Sequence, residues 1–109
     1  MELKDIPFGV YHLGGIDPEI HPGASGRASW KTVKQGNVRI RIVEYSPGYL
    51  ADHWCEKGHA VFVLDGSFTS ELKDGRKYEL TKGMCYLVAD HAEAHRSSTQ
   101  TGVKLLIVD

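Results

Sequence analysis

Hydrophobic and polar positions alternate most cleanly over "VRIRIVEYS" (38–46), where Val38, Ile40 and Ile42 interleave with Arg39 and Arg41. A period of two is the mark of a strand, here with an apolar face on the core and an arginine face in water. The segment before it, "RASWKTVKQ" (27–35), reads as its partner, and a reversal at Gln35-Gly36-Asn37 makes the two a hairpin. After a turn at "SPG" (46–48), "LADHWC" (50–55) predicts a short strand and Lys57-Gly58 the next reversal. "HAVFVLD" (59–65) is apolar on both faces, which predicts a central strand covered on both sides. Asp65-Gly66 then turns the chain into "SFTSEL" (67–72), and Asp74-Gly75 is a strong hairpin signal. Thr81-Lys82-Gly83 precedes "MCYLVA" (84–89); a polar loop with His91, Glu93 and His95 follows, and "VKLLIV" (103–108) is the last strand.

No window sustains a helical period with caps. Some eight short strands separated by turn residues predict an all-β domain of barrel or jelly-roll type, with little or no helix. The first 26 residues are broken by glycine and proline, yet Ile6, Phe8, Val10 and Leu13 are too apolar for a free tail. They read as an arm packed on the body, carrying at most one short strand. The 109 residues fit a single domain, 1–109, without repeat or linker.

Composition narrows the function classes. With 41% hydrophobic and 25% charged residues the chain is an ordinary globular one, and a net charge of −1 provides no basic face for nucleic acid or a membrane surface. The longest apolar runs are too short to span a bilayer, and "MELKDIPFGV" is no export signal, so the expected location is the cytoplasm. There Cys55 and Cys85 are expected as reduced thiols, Cys85 in the core.

The chemistry concentrates in "HWCEKGH" (53–59). Two apart on a strand, His53 and Cys55 would face the same way, roughly 6.5–7 Å apart at Cα. His59 would open the neighbouring strand, and His95 could return to the same interior. Imidazole and thiolate suit zinc, iron, nickel or copper, and manganese is admissible, whereas calcium and magnesium are not suited. Spacing alone leaves a second reading open, since histidines in β proteins are usually hydrogen-bonded residues and a buried cysteine is often a small hydrophobe. Glu56 is out of phase and expected in solvent. Tyr45, Tyr49 and Tyr86 are candidates for the barrel mouth, and no role is assigned to His12 or His21.

"GYLADHWCEKGHAVFVLDG" followed by "GMCYLVADHAEAHR" resembles the two motifs of the cupin superfamily. Gly48, His53, Cys55, His59 and Gly66 take the places of the first motif, and Gly83 and His95 those of the second. Cys55 stands where the family has its second histidine and His59 where it has a glutamate; the Pro and Gly of the second motif are missing. The chain resembles still more the small single-domain cupins with a DHCW motif, over "IRIVEYSPGYLADHWCEKGH", "ELKDGRKYELTKGM" and "HRSSTQTGVKLLIVD". The resemblance implies a cupin jelly roll with a divalent transition metal, zinc or iron first, held by His53, Cys55, His59 and His95. It also implies a small-molecule ligand or substrate and a homodimer. Dioxygenase and isomerase are the enzyme classes it admits; a non-catalytic binding or sensing module and a structural metal site stand beside them.

Overall fold

The computed structural model describes residues 2–109. Among these, a single 3-10 turn (Leu13–Gly15) precedes nine strands: β1 (Glu19–Pro22), β2 (Arg27–Gln35), β3 (Val38–Tyr45), β4 (Tyr49–Leu50), β5 (His59–Leu72), β6 (Lys77–Thr81), β7 (Cys85–Val88), β8 (His95–Thr99) and β9 (Val103–Val108). Every pairing is antiparallel, and the sheet runs β1-β2-β3-β9-β5-β8-β4, with β6 and β7 also on β5. This is the expected all-β architecture, a sheet curled on itself. No helix among the described residues is long and apolar enough to cross a membrane.

The hairpin signals act as read at three places. Gln35 pairs with Val38 across Gly36-Asn37, Glu71 with Lys77 across the Asp74-Gly75 loop, and the chain turns at Thr81–Gly83 between β6 and β7. Asp65-Gly66 does otherwise. β5 runs unbroken through it, with a register shift between Val63 and Asp65 against β9. The first half of β5 pairs with β9 and β7, the second with β6 and β8. Gly66 sits at φ +79°, where a Cβ would run into the backbone of Gly102. The pair is therefore a β-bulge, the corner at which one strand passes between two curved layers.

The core lies between those layers. Val43, Val63 and Leu105 are at most 1% exposed, and Val61, Phe68, Leu80 and Ile107 pack around them. Each such side chain contributes roughly 1.5–3 kcal/mol through removal from water. β5 is central, as expected, but covered on one face only: Val61 and Val63 point inward while Phe62 is 40% exposed.

The alternation in β3 is real and its faces are reversed. Arg41 is buried with Val43, and the isoleucines Ile40 and Ile42 are half-exposed on the outside. The arginines can face inward because Asp109, next to β9, supplies an interior carboxylate that no local pattern announces. Asp109 lies beside Arg39 on one flank, with mutual backbone hydrogen bonds of 2.6 and 2.9 Å, and beside His59 on the other. Cys85 also departs from expectation. On β7 it is Tyr86 and Val88 that turn inward, leaving Cys85 and Leu87 outside, and both cysteines are free thiols.

Candidate metal centre

"HWCEKGH" is not two strands joined by a turn. β4 ends at Leu50, the chain bends at Asp52-His53, and Cys55 makes an isolated bridge to His95. In that bridge Cys55 N–H donates to the His95 carbonyl at 2.7 Å and His95 N–H to the Cys55 carbonyl at 2.9 Å. Such a doubly bonded pair sets two side chains next to each other. The connector to His59 is irregular and clamped from outside: Gly58 N–H donates to Asp90 Oδ1 at 2.6 Å, and His91 N–H to the Glu56 carbonyl at 2.8 Å. A side chain at Gly58 would meet the backbone of Ala89 and Asp90, so the connector lies flush only with glycine there.

His59 begins β5 and His95 begins β8, which is a strand where the sequence reads as a polar loop. Cys55, His59 and His95 converge, their ligand atoms all within 4.8 Å of one another. His53 does not join them. Its ring is 75% exposed and Nδ1 lies 2.6 Å from Asp52 Oδ1, at the rim of the cavity onto which the other three open. The bend at 52–53 removes the shared strand face that would have aligned it with Cys55.

Hydrogen bonding settles which histidine nitrogens are available. Nδ1 of His95 is 2.7 Å from the Glu93 carbonyl, and Nδ1 of His59 is 3.4 Å from Asp109 Oδ2. Both partners only accept, so in the neutral rings Nδ1 carries the proton and Nε2 presents a lone pair; a proton shared between Cys55 and His95 sits on Nε2 and would be displaced when a metal binds. Those Nε2 atoms face each other at 2.9 Å. Two lone pairs at that distance repel unless a proton or a cation lies between them. Tetrahedral ligation at about 2.0–2.1 Å per nitrogen places two nitrogens roughly 3.3 Å apart, so a small opening of the pair accommodates a metal. Two imidazoles backed by an acceptor and one thiol form a donor set that fits zinc, iron and their neighbours.

Electrostatics prepares the same atoms. The hydrogen bond to His95 draws the Cys55 thiol below its ordinary range against the opposing effect of burial, and the same bond raises His95. Burial, with the charge of His95, pushes His59 down to about 4 despite Asp109. His59 is thus neutral at physiological pH, as a ligand must be.

Behind the ligands stands a group for which the sequence offered no role. Asp109 accepts from Arg39 Nε at 2.8 Å and Nη2 at 3.0 Å, and from Arg41 Nη2 at 3.0 Å. Burial opposes ionisation of this carboxyl, but the Arg39 bond and the two guanidinium charges overcome it and hold Asp109 at about 2. The indole of Trp30 lies 4.4 Å from the Arg41 guanidinium carbon. The one available signal was the pair of arginines on a single face of β3, which demands an acid on an adjacent strand. Tyr45, Tyr49 and Tyr86 do line the cavity, about 260 Å3 in volume, and Tyr86 Oη comes within 3.3 Å of His59 Nε2.

No family model matches the chain, and no curated protein does. Solved structures match well in shape. An RmlC-like cupin from Shewanella frigidimarina NCIMB 400 is 17% identical with a TM-score of 0.74, over 95% of this chain and 91% of that one. A sugar phosphate isomerase from a cupin superfamily, from Silicibacter pomeroyi, is 18% identical with a TM-score of 0.69, over 92% and 74%. The polyketide cyclase RemF from Streptomyces resistomycificus is 20% identical with a TM-score of 0.75, over 94% and 78%. Agreement in shape at such low identity speaks to the fold, and the fold of this chain is that of the cupins.

Proposed function

We propose that this chain is a metal-dependent enzyme acting on a small molecule, with Cys55, His59 and His95 holding one divalent transition metal, zinc or iron first. The observation that carries the reading is the pair of Nε2 lone pairs, each fixed by an acceptor on Nδ1, meeting beside a thiol at the edge of a cavity. Three protein ligands with a free position are the catalytic pattern, whereas four would close the shell. A metal so bound supplies Lewis-acid chemistry, or redox chemistry if it is iron, to a molecule in the cavity.

The protein's own groups do the rest. Asp109 and the Glu93 carbonyl hold the two rings in the right tautomer, and Val61, Leu105 and Ile107 give the cavity a dry wall. Burial pushes the Tyr86 hydroxyl up, so it keeps its proton at neutral pH and is a donor for a substrate oxygen beside His59. This favours an isomerase, the class named for one of the solved neighbours; a dioxygenase is the second reading.

Metal analysis of untagged protein is the first test, and about one equivalent is expected. Less than about a tenth of an equivalent ends the reading. Cys55→Ser should shift the sulfur charge-transfer band of a cobalt-substituted sample, while His53→Ala should leave metal content unchanged. Oxygen consumption with a substrate panel separates the dioxygenase from the isomerase, and an absence of turnover in both assays leaves a binding module.

We also propose that a second copy covers the apolar outer face formed by Phe62 and Leu87, which are 40% and 79% exposed. Sedimentation of the native protein tests this.

A further inference from the structure

A second cavity, about 220 Å3 in volume, opens on the far side of the ligand cluster, between β5, β6, β7 and the start of β8. Tyr86 and His95 belong to both walls. Their rings meet edge to face with centroids 5.9 Å apart, the ordinary contact of an aromatic pair, so they partition the two spaces. The two cavities differ in chemistry. The first has Arg39, Arg41, Lys57 and Arg96 in its wall; the second has neither lysine nor arginine. Leu72, Leu80 and Val88 line it, Leu80 being only 4% exposed, and Tyr78 stands half-exposed at the rim. Ser70 adds one buried hydroxyl, and the one carboxylate, Glu93, is held by Arg76 at 2.8 Å. His95 offers the space no free polar atom, since Nδ1 is bonded to the Glu93 carbonyl and Nε2 faces His59. Apolar side chains inside a folded chain normally interdigitate with no gap larger than a water. Here they surround a space of several times that size, in which water finds few partners, and such a space is a site for an apolar molecule.

We propose that this second cavity binds a compact, uncharged apolar molecule, an aromatic ring or branched alkyl group of about six to eight non-hydrogen atoms. A cavity of roughly 150 Å3 lined by such side chains holds benzene, and the larger volume here admits one or two carbons more. Charge of either sign is excluded. An anion would meet Glu93 with no cation in the wall to receive it, and a cation would find that carboxylate already taken by Arg76. The molecule lies against Tyr86 and His95 on the side away from the first cavity. It is therefore separate from any molecule bound there, and the site does not rest on the presence of a metal.

Titration of the whole, chelator-stripped protein with toluene, followed through its methyl resonances, tests the proposal. Toluene should bind saturably below its solubility limit and move the methyls of Leu72, Leu80 and Val88. Those of Val61, Leu105 and Ile107, in the wall of the first cavity, should stay in place. Benzoate has the same ring with a charge in place of the methyl group, and should act on Leu72, Leu80 and Val88 at least about tenfold more weakly. Val88→Phe fills the space with its own ring and should cost at least about tenfold in toluene affinity. If that variant does not fold, the pattern of shifts in the native protein decides alone. Shifts that rise linearly without saturation overturn the proposal. So do shifts centred on Val61, Leu105 and Ile107, equal action of toluene and benzoate on the second cavity, or a folded Val88→Phe protein that binds toluene as the native one does. The stripped protein carries no metal, so the result is independent of the metal site.

Discussion

A single oxygen, Oδ2 of Asp109, accepts from Arg41 and faces Nδ1 of His59. That position makes Asp109 a residue with two separable effects. Asp109→Ala leaves two guanidiniums unpaired, one of them buried, and should cost about 3–5 kcal/mol of stability, read by urea denaturation. Asp109→Asn keeps the shape but can turn an amide N–H toward His59, removing the acceptor that fixes its tautomer. Metal affinity should then fall by about 10- to 100-fold in a chelator competition, the usual effect of losing such a partner. His59 carries a pH prediction of its own. Its pKa in the folded chain, about 4, lies below the ordinary 6.5, so the unfolded state binds the proton more readily. Stability is fully present above about pH 6.5 and is lost as the pH falls through about 4. His95, raised by Cys55, acts in the opposite sense and loses its contribution as the pH rises. In metal-free protein the melting temperature should drop between pH 6.5 and 4, and His59→Gln should flatten that drop; an unchanged slope would mean that His59 is not buried as a neutral ring.

Among the elements, those held by local rules were legible and those held by distant partners were not. Gly36-Asn37 and Asp74-Gly75 turn the chain because few other residues adopt the backbone such turns require, and this is visible in two letters. Asp65-Gly66 spells the same signal, but β9 continues alongside and converts the turn into a bulge. The period of β3 was plain while its inner face was not, since Asp109 lies 68 residues from Arg41 in the chain. For the same reason, three of the four expected ligands were brought together and His53 was not: a bend replaced the strand that would have aligned it. β8 was missed because His95, Ser97 and Thr99, its buried face, are polar residues satisfied inside the barrel. Two glycines test the bulge. Gly66→Ala combines φ +79° with a collision against Gly102 and should cost at least about 2 kcal/mol. Gly75→Ala, at φ +100° with open space around it, bears only the backbone strain and should cost less. Equal denaturation midpoints for the two variants would show that the corner at Gly66 is not tight.

At the scale of the whole molecule, polarity is partly inverted. Arginines, histidines and a carboxylate line the inside of one end, while the outside of the same sheet carries apolar rows. Cross-strand register sets Lys31, Ile42, Leu106, Phe62 and Cys85 in one row, and Val33, Ile40, Val108, Ala60 and Leu87 in the next. Exposed apolar rows of this kind are the chemistry from which association surfaces are built. A second copy is the occupant with the simplest geometry, since two-fold pairing sets the same face against itself. Leu87→Glu puts a charge at the most exposed point of that face without touching the interior. It should convert a dimer to a monomer in sedimentation velocity at micromolar concentration, and lower the melting temperature through loss of the covered area. Metal content per chain should stay the same, because Cys55, His59 and His95 all come from one chain. A native protein that sediments as a monomer at every concentration would remove the second copy from the account, and a loss of metal along with the dimer would show that the two faces of the sheet are not independent.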